Sequence, residues 1–351
     1  MTKIRIAIVG LGHWGQQYVR NFLTLRRVEL VAMCDNKLDR LEETKARLQT
    51  NYDGLLTTQY QDLTALNLDA VVVATPASTH YSITKFFLNH DVHALVEKPL
   101  CLNKNDAGEL VLLAKQKNLL LMMGHTLLFA QETVYLKKII QQQDFGRLLS
   151  AHSQRLNLGK VHDDCNVIWD LAPHDISILL YLSESQVHKV HATAKAIKNR
   201  LQLDYASIQL DFENGMQAQL LLSWIEPRKT RRITLVGDHK HAVFDDCKRP
   251  SSLCIASAPH QEEEDSNVGP DVGELHTPEL IQKENLQGLC EHFVRCILDQ
   301  HPCLSPGEIG LEITYIIEAI HHSIAQDGAG VKVDQSAYYF TAEQPPRENL
   351  L

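Results

Sequence analysis

Short, nearly unbroken apolar runs open the chain and recur through its first 125 residues. Ile4 to Val9, Leu30 to Met33, Ala70 to Ala74, Ala94 to Val96 and Leu119 to Met123 lack the alternation of a half-exposed strand. Strands covered on both faces of a parallel sheet carry such runs. Amphipathic stretches of helix length lie between them, at Leu38 to Leu48, Ser78 to Asn89 and Lys104 to Lys117. Regular strand–helix alternation predicts right-handed βαβ units and a doubly wound parallel sheet.

After Gly124 the rhythm changes. Phe129 to Gln142 reads as a helix, Leu148 to Leu158 as a strand, and Ile168 to Leu182 as a strongly apolar helical stretch around a polar cluster. Period-two alternation follows. Ile208, Leu210 and Phe212 run out, Glu213-Asn214-Gly215 turns, and Met216, Ala218, Leu220, Leu222 and Trp224 run back. This pattern predicts an antiparallel hairpin. Arg232–Val236, Gly237-Asp238 and Ala242–Phe244 predict a second one. Residues 259–279, with Glu262-Glu263-Glu264-Asp265, read as a solvated loop. Two helices are expected after it, the second with Ile309, Ile313, Ile316, Ile317, Ile320 and Ile324 along one stripe. The expected organisation is a dinucleotide-binding α/β domain over 1–124, an α+β domain with an open, mostly antiparallel sheet over 125–333, and a tail over 334–351.

Composition narrows the classes. A chain of 351 residues, 44% hydrophobic and 22% charged, suits one large or two ordinary globular domains. A net charge of −9 with no long basic run argues against nucleic acid as a partner. No uncharged apolar stretch approaches the roughly 20 residues that span a bilayer. The opening residues pass straight into a glycine turn rather than forming a signal peptide. The eight cysteines contain no C-x-x-C pair and read as reduced thiols, so a cytoplasmic protein is expected. His239-x-His241, His321-His322 and His188-x2-His191 lack companions at ligand spacing, and Cys290, Cys296 and Cys303 are spaced unlike zinc pairs. No metal is expected.

Gly10-Leu11-Gly12-His13-Trp14-Gly15 follows the first strand and opens a helix. The first glycine permits a tight turn, the second lets backbone approach a pyrophosphate, and the third lets helix pack on strand. A helix N-terminus then offers unpaired N–H donors to the anion. Asp35 ends the second apolar run, 20 residues beyond Gly15, where a carboxylate accepts hydrogen bonds from a ribose. Its charge opposes a 2′-phosphate, while Lys37 and Arg40 would attract one. NAD is expected, with NADP still open. Thr75-Pro76-Ala77-Ser78-Thr79-His80 and Glu97-Lys98-Pro99 stand at carboxyl ends of strands, the edge where open α/β sheets bind ligands. An ammonium at Lys98 would steady a developing alkoxide; the plainer reading is a surface lysine at a strand end.

Asp170-Leu171-Ala172-Pro173-His174-Asp175 is a second polar island within an apolar stretch. An imidazole suits removal of a hydroxyl proton as hydride departs. Asp170, four residues earlier, shares a face with it if the helix is unbroken. Pro173 instead suggests a helix that begins there, with Asp170 in the preceding turn. Taken alone, His174 reads equally as a structural core histidine. Arg155 is open to two readings, an anion clamp for the substrate or a structural salt bridge. Trp169 would stack on a sugar or fill core.

Together these segments resemble the glucose–fructose oxidoreductase / inositol dehydrogenase (Gfo/Idh/MocA) family. Gly10-x-Gly12-x-Trp14-Gly15, Thr75-Pro76 with His80, Glu97-Lys98-Pro99 and Asp170-x3-His174 stand in that family's order and spacing, over nearly the whole chain to about residue 333. The resemblance implies an N-terminal Rossmann domain and a C-terminal sheet that commonly forms a homodimer or homotetramer interface. It also implies that Lys98, Asp170 and His174 correspond to the catalytic lysine, aspartate and histidine. Gly10, Gly12, His13, Trp14, Gly15, Asp35, Thr75, Pro76, His80, Glu97 and Lys98 would line the cofactor. The Arg155-Leu156-Asn157 and Asn166 to Asp175 segments resemble the sugar and nucleotide-sugar dehydrogenase branch, including enzymes that oxidise a UDP-amino sugar at C3. Arg155, Asn157, Trp169, Asp170 and His174 would then meet a sugar. Two departures stand out: Ala172 where the family often has Gly, and Ser177 where it has Asp, a place Asp175 would have to fill. A dinucleotide-binding sensor or scaffold without turnover, and a dehydrogenase of a non-sugar, are the alternative readings.

Overall fold

The computed structural model describes residues 2–48, 52–159, 165–198, 201–248, 252–258 and 275–334. Most of the predicted acidic loop and of the tail therefore lies outside the described residues. The chain divides into two compact units. One holds the residues up to Phe129 together with Lys283–Tyr315; the other holds Ala130–Gln282 and continues from Ile316.

Six parallel strands form the sheet of the first unit: β1 (Ile4–Val9), β2 (Val28–Cys34), β3 (Leu55–Thr57), β4 (Ala70–Val73), β5 (His93–Val96) and β6 (Leu121–Met123). Their order is β3-β2-β1-β4-β5-β6. The order reverses between β1 and β4, and a crevice forms at the carboxyl ends of strands at such a reversal. The helices are α1 (His13–Thr24), α2 (Leu38–Arg47), α3 (His80–Asn89) and α4 (Lys104–Gln116). Successive side chains of a strand point to opposite faces. Accordingly Ile4, Ile6 and Ile8 join one core with Tyr18, Phe22 and Val72, while Ala7 and Val9 join another with Val71, Val73, Phe87 and Leu110. The sequence predicted every strand except β3, a three-residue edge strand with no fully buried position.

Residues 283–315 belong with this unit rather than with the block 125–333 expected from sequence. The reason is apolar packing. Leu286, Leu289, Phe293 and Val294, on the helix over Asn285–Leu298, complete the core around Phe22. The Phe22 and Phe293 rings meet edge to face at 6.5 Å. Beyond this helix, Ser305 exchanges hydrogen bonds with Met123: the Met123 N–H donates to the Ser305 carbonyl (2.7 Å) and the Ser305 hydroxyl to the Met123 carbonyl (2.8 Å).

In the second unit an eight-stranded sheet has the order β13-β12-β11-β7-β10-β9-β8-β14. Its strands are β7 (Leu148–Leu158), β8 (Val187–Lys195), β9 (Tyr205–Phe212), β10 (Gln217–Ser223), β11 (Ile225–Gly237), β12 (Lys240–Asp245), β13 (Ser252–Ser257) and β14 (Val331–Lys332). Only β7 and β10 pair in parallel; the other neighbours are antiparallel. Both predicted hairpins are present, and Gly215 turns the first with φ +86°. Two helices of this unit are α5 (Gln131–Gln141) and α6 (Val167–Ser183); α7 (Asn285–Leu298) and α8 (Gly307–Ala325) complete the numbering. The Lys137 ammonium of α5 donates to the Tyr181 carbonyl of α6 at 2.7 Å.

Of the two courses open at Pro173, α6 takes the unbroken one, with the proline inside the helix. An internal proline removes one backbone donor and costs about 3 kcal/mol. Two features offset it. The Asn166 side chain caps the helix by accepting from the Ile168 and Trp169 N–H groups at 3.1 and 3.2 Å. Burial of almost every residue from Val167 to Leu182 does the rest.

Candidate functional site

The glycine turn is built as its sequence requires. Gly10 has φ +92°, and a Cβ there would lie 2.6 Å from the Ala74 carbonyl oxygen. A Cβ on Gly15 would overlap the Gly10 carbonyl oxygen. Gly12 is different: its φ is −65°, and an added Cβ would meet no atom within 4 Å. Neither conformation nor packing within the protein demands glycine at this position. Open space beside its backbone, at the start of α1, fits the close approach of a pyrophosphate. No side chain among the described residues caps that helix N-terminus, and no acidic residue stands in its first turn. His13 and Trp14 are exposed at the same end, their rings edge to face at 5.7 Å.

Asp35 ties this turn to β2. The buried carboxylate accepts from the Leu11 N–H at 2.7 Å and from the Lys37 N–H at 2.9 Å, and Arg40 Nη1 lies 3.5 Å from Oδ2. His80 serves a similar end. It is buried, with Nδ1 2.7 Å from the Pro99 carbonyl oxygen and Nε2 2.9 Å from that of Thr75. The ring thus braces the loop after β4 against the loop after β5. Thr75 and Pro76 remain at that loop's surface, and the Thr79 hydroxyl donates to Thr75 Oγ1 at 2.8 Å.

Glu97 also turns inward. Its Oε1 accepts from the Tyr18 hydroxyl at 2.7 Å, and Oε2 accepts from the Lys98 N–H at 3.2 Å. Burial pushes the Glu97 carboxyl up, partly countered by the Tyr18 hydrogen bond and by Lys98. Burial, then the Glu97 charge, pushes the Tyr18 phenol up as well. Lys98 is half-buried and precedes Pro99 through a cis peptide bond. His125, just past β6, went unnoticed in the sequence. It is buried, and neither ring nitrogen has a hydrogen-bond partner among the described residues. Burial, reinforced by the nearby Lys98 cation, pulls its pKa down to about 3.

Asp170 and His174 stand one turn apart in α6, both half-buried. Asp170 Oδ2 accepts from the Trp224 indole N–H at 3.1 Å. Trp224 is itself buried, and nothing but hairpin alternation marked it in the sequence. A Cβ on Gly159 would sit 2.9 Å from the Trp224 ring and 3.2 Å from Asn157 Oδ1, so these groups are neighbours. Asn157 Oδ1 is buried and accepts no hydrogen bond from the described residues.

Arg155 and Trp169, each open to two readings, both have structural partners. Arg155 is buried in a forked ion pair with Asp175: Nη2 donates to Oδ1 at 2.6 Å, and Nε donates to both oxygens at 3.1–3.2 Å. Asp175 is fully buried there. Burial works against the Arg155 charge, but the Asp175 carboxylate outweighs it and holds the guanidinium's pKa up. Ser177 is buried as well, its hydroxyl donating to the His174 carbonyl at 2.9 Å. Trp169 fills core, its ring stacked on His321 at 6.1 Å.

Among the described residues, no helix is long and apolar enough to cross a membrane. Residues 4–125 match the Gfo/Idh/MocA oxidoreductase family, NAD-binding Rossmann fold, and residues 133–243 match the family's C-terminal domain. The UDP-N-acetylglucosamine 3-dehydrogenase of Acidithiobacillus ferrooxidans is 27% identical over 250 residues, covering 70% of this chain and 75% of that protein. A crystal structure of that enzyme has the same fold, with a TM-score of 0.79 at 23% identity over 93% of this chain and 99% of the other. So does an oxidoreductase from Agrobacterium radiobacter in complex with NAD+, L-tartaric acid and magnesium, with a TM-score of 0.77 at 17% identity over 95% and 99% of the two chains. With its glycine turn, its six-stranded parallel sheet and both domains matched, the chain belongs to the Gfo/Idh/MocA family of oxidoreductases with an NAD-binding Rossmann fold.

Proposed function

We propose that the protein interconverts a secondary alcohol of a sugar, or of a sugar carried on a nucleotide, and the corresponding ketone. The observation that carries this reading is the carboxylate–imidazole pair on α6, with Asp170 and His174 one turn apart and Asp170 held by Trp224. NAD, when bound, accepts the hydride. Gly10, Gly12 and Gly15 and the first N–H groups of α1 would hold its pyrophosphate, with Asp35 fixing the turn. The negative charge of Asp35 and its contact with Arg40 favour NAD over a 2′-phosphorylated cofactor.

His174 takes the hydroxyl proton, in keeping with an imidazole's pKa near neutrality. The Lys98 ammonium steadies the substrate oxygen as negative charge develops on it. Asp170 orients the reacting cation or imidazole, and the Trp224 indole fixes one of its oxygens. Asn157 Oδ1, which no donor among the described residues occupies, accepts from a sugar hydroxyl. The relative that oxidises UDP-N-acetylglucosamine supports a nucleotide-sugar substrate.

Purified protein is incubated with NAD and a panel of UDP-sugars while the absorbance of reduced nicotinamide is followed. We expect turnover with at least one UDP-sugar and a fall of about 10²–10⁴-fold in kcat for His174→Ala. Activity unchanged in both His174→Ala and Lys98→Ala would remove these residues from the reaction.

A further inference from the structure

In the first unit, the α7 residues His292 and Cys296 lie one turn apart, and Cys303 follows the helix. The two sulfurs and a His292 ring nitrogen all lie within 4.8 Å of one another. Both thiols are free and half-buried, whereas Cys34, Cys101 and Cys290 are buried. The His301 ring adds to the group, 5.4 Å from that of His292.

Such a cluster has two uses, metal ligation or thiol chemistry, and hydrogen bonding separates them. The Leu304 N–H donates to His292 Nε2 at 2.9 Å, so Nε2 carries the lone pair and the neutral ring carries its proton on Nδ1. A metal is opposed at either ring nitrogen: at Nε2 the Leu304 N–H already takes the lone pair, and at Nδ1 the proton would have to move to Nε2, where it would oppose that N–H. A protonated Nδ1 is instead a donor suited to a thiolate. Hydrogen bonds from Cys303 first and His292 next, opposed by burial, pull the Cys296 thiol well below its usual range. Burial pushes the Cys303 thiol up, and its hydrogen bond to Cys296 adds to this, so the shared proton rests on Cys303.

We infer that Cys296 and Cys303 are a peroxide-reactive dithiol, with Cys296 the attacking sulfur and Cys303 the resolving one. The Cys296 thiolate attacks one oxygen of a hydroperoxide. The O–O bond breaks, hydroxide or alkoxide leaves and takes up a proton, and Cys296 becomes a sulfenic acid. The Cys303 sulfur then attacks the Cys296 sulfur, the S–O bond breaks, and water leaves with the Cys303 proton. The pair is oxidised to a disulfide by two electrons as the peroxide is reduced. Cys303 lies two residues before Ser305, which is bonded to Met123 of β6, so the bridge would form beside the edge of the nucleotide-binding sheet.

The test uses the whole protein and does not depend on its activity. Trypsin leaves both cysteines on one peptide, from Cys296 to Lys332. After a stoichiometric amount of hydrogen peroxide, that peptide is expected two hydrogens lighter and closed to iodoacetamide, and dithiothreitol restores it. Cys303→Ser should leave a sulfenic acid on Cys296 that dimedone traps, and Cys296→Ser should leave Cys303 reduced. In the unsubstituted protein at about pH 6, Cys296 should alkylate about tenfold faster than the exposed Cys247. This arm stands if a variant fails to fold. Equal alkylation of the two, or a peptide that stays reduced, would overturn the inference. Stoichiometric zinc in the purified protein, shielding both thiols until chelated, would overturn it in favour of a metal site.

Discussion

At the strand ends of the first unit, polar side chains are spent on backbone. Asp35 holds the Leu11 and Lys37 N–H groups, and His80 spans the Thr75 and Pro99 carbonyls. In the second unit side chain meets side chain between sheet and helix, Arg155 of β7 with Asp175 of α6 and Trp224 with Asp170. The two arrangements fail differently. A loop that loses a brace can relax toward water, whereas a buried charge that loses its partner has no such outlet. Polar residues beside a crevice are therefore not equivalent candidates for ligand contact: some shape the loop, some keep the core neutral, and fewer remain to meet a substrate.

Removing one half of the buried ion pair should give the largest effect. Asp175→Ala is expected to lower unfolding free energy by about 3–5 kcal/mol in urea titrations. The double change Arg155→Met, Asp175→Leu should recover much of that loss. A loss below about 1 kcal/mol for Asp175→Ala would erase the contrast between the units.

His125 sharpens the contrast from the other side, as a buried polar group of the first unit with no brace to supply. Its pKa is about 3 in the folded protein, against an ordinary value near 6.5 when unfolded. Above pH ~6.5 both states are neutral and the stability is fully present. As pH falls from there toward 3, only the unfolded chain takes up the proton, so stability drops by about 1.4 kcal/mol per pH unit from this group. His125→Phe should flatten the stability–pH curve between about pH 6.5 and 5 by that amount. An unchanged slope would mean that the imidazole titrates normally.

The smallest change in stability is expected at Gly12. Gly12→Ala should fold within about 0.5 kcal/mol of the parent, since its Cβ meets only open space. The same substitution should raise the dissociation constant for NAD about tenfold, measured by calorimetry. Gly15→Ala, whose Cβ would strike the Gly10 carbonyl, should instead lose stability outright.

The parallel sheet was legible because its strands are apolar on both faces, a signal that survives in sequence. β3 was not, since three half-exposed residues carry no periodicity. The continuity of α6 was hidden by Pro173, whose local preference yields to burial on all sides and a cap at Asn166. Lys98 stood out by its place at a strand end, Asp170 and His174 by their spacing, and all three by the family resemblance; the structure gives the last two a common helix. What sequence could not supply was partnership over distance. Arg155 meets a carboxylate 20 residues away, Asp170 meets an indole 54 away, and Tyr18 meets Glu97 across 79. His125 had a different difficulty: an isolated histidine after a short strand looks like many others until its surroundings are seen to contain no partner.

The first unit takes part of its core from Leu286, Leu289 and Phe293, more than 150 residues after Phe129. Synthesis from the N-terminus therefore delivers the dinucleotide-binding strands long before the helix that covers Phe22. Until the ribosome has passed about residue 315, that half of the protein is left with an oily flank in need of a chaperone. A message cut short before residue 283 would yield an aggregating fragment rather than a small working nucleotide binder.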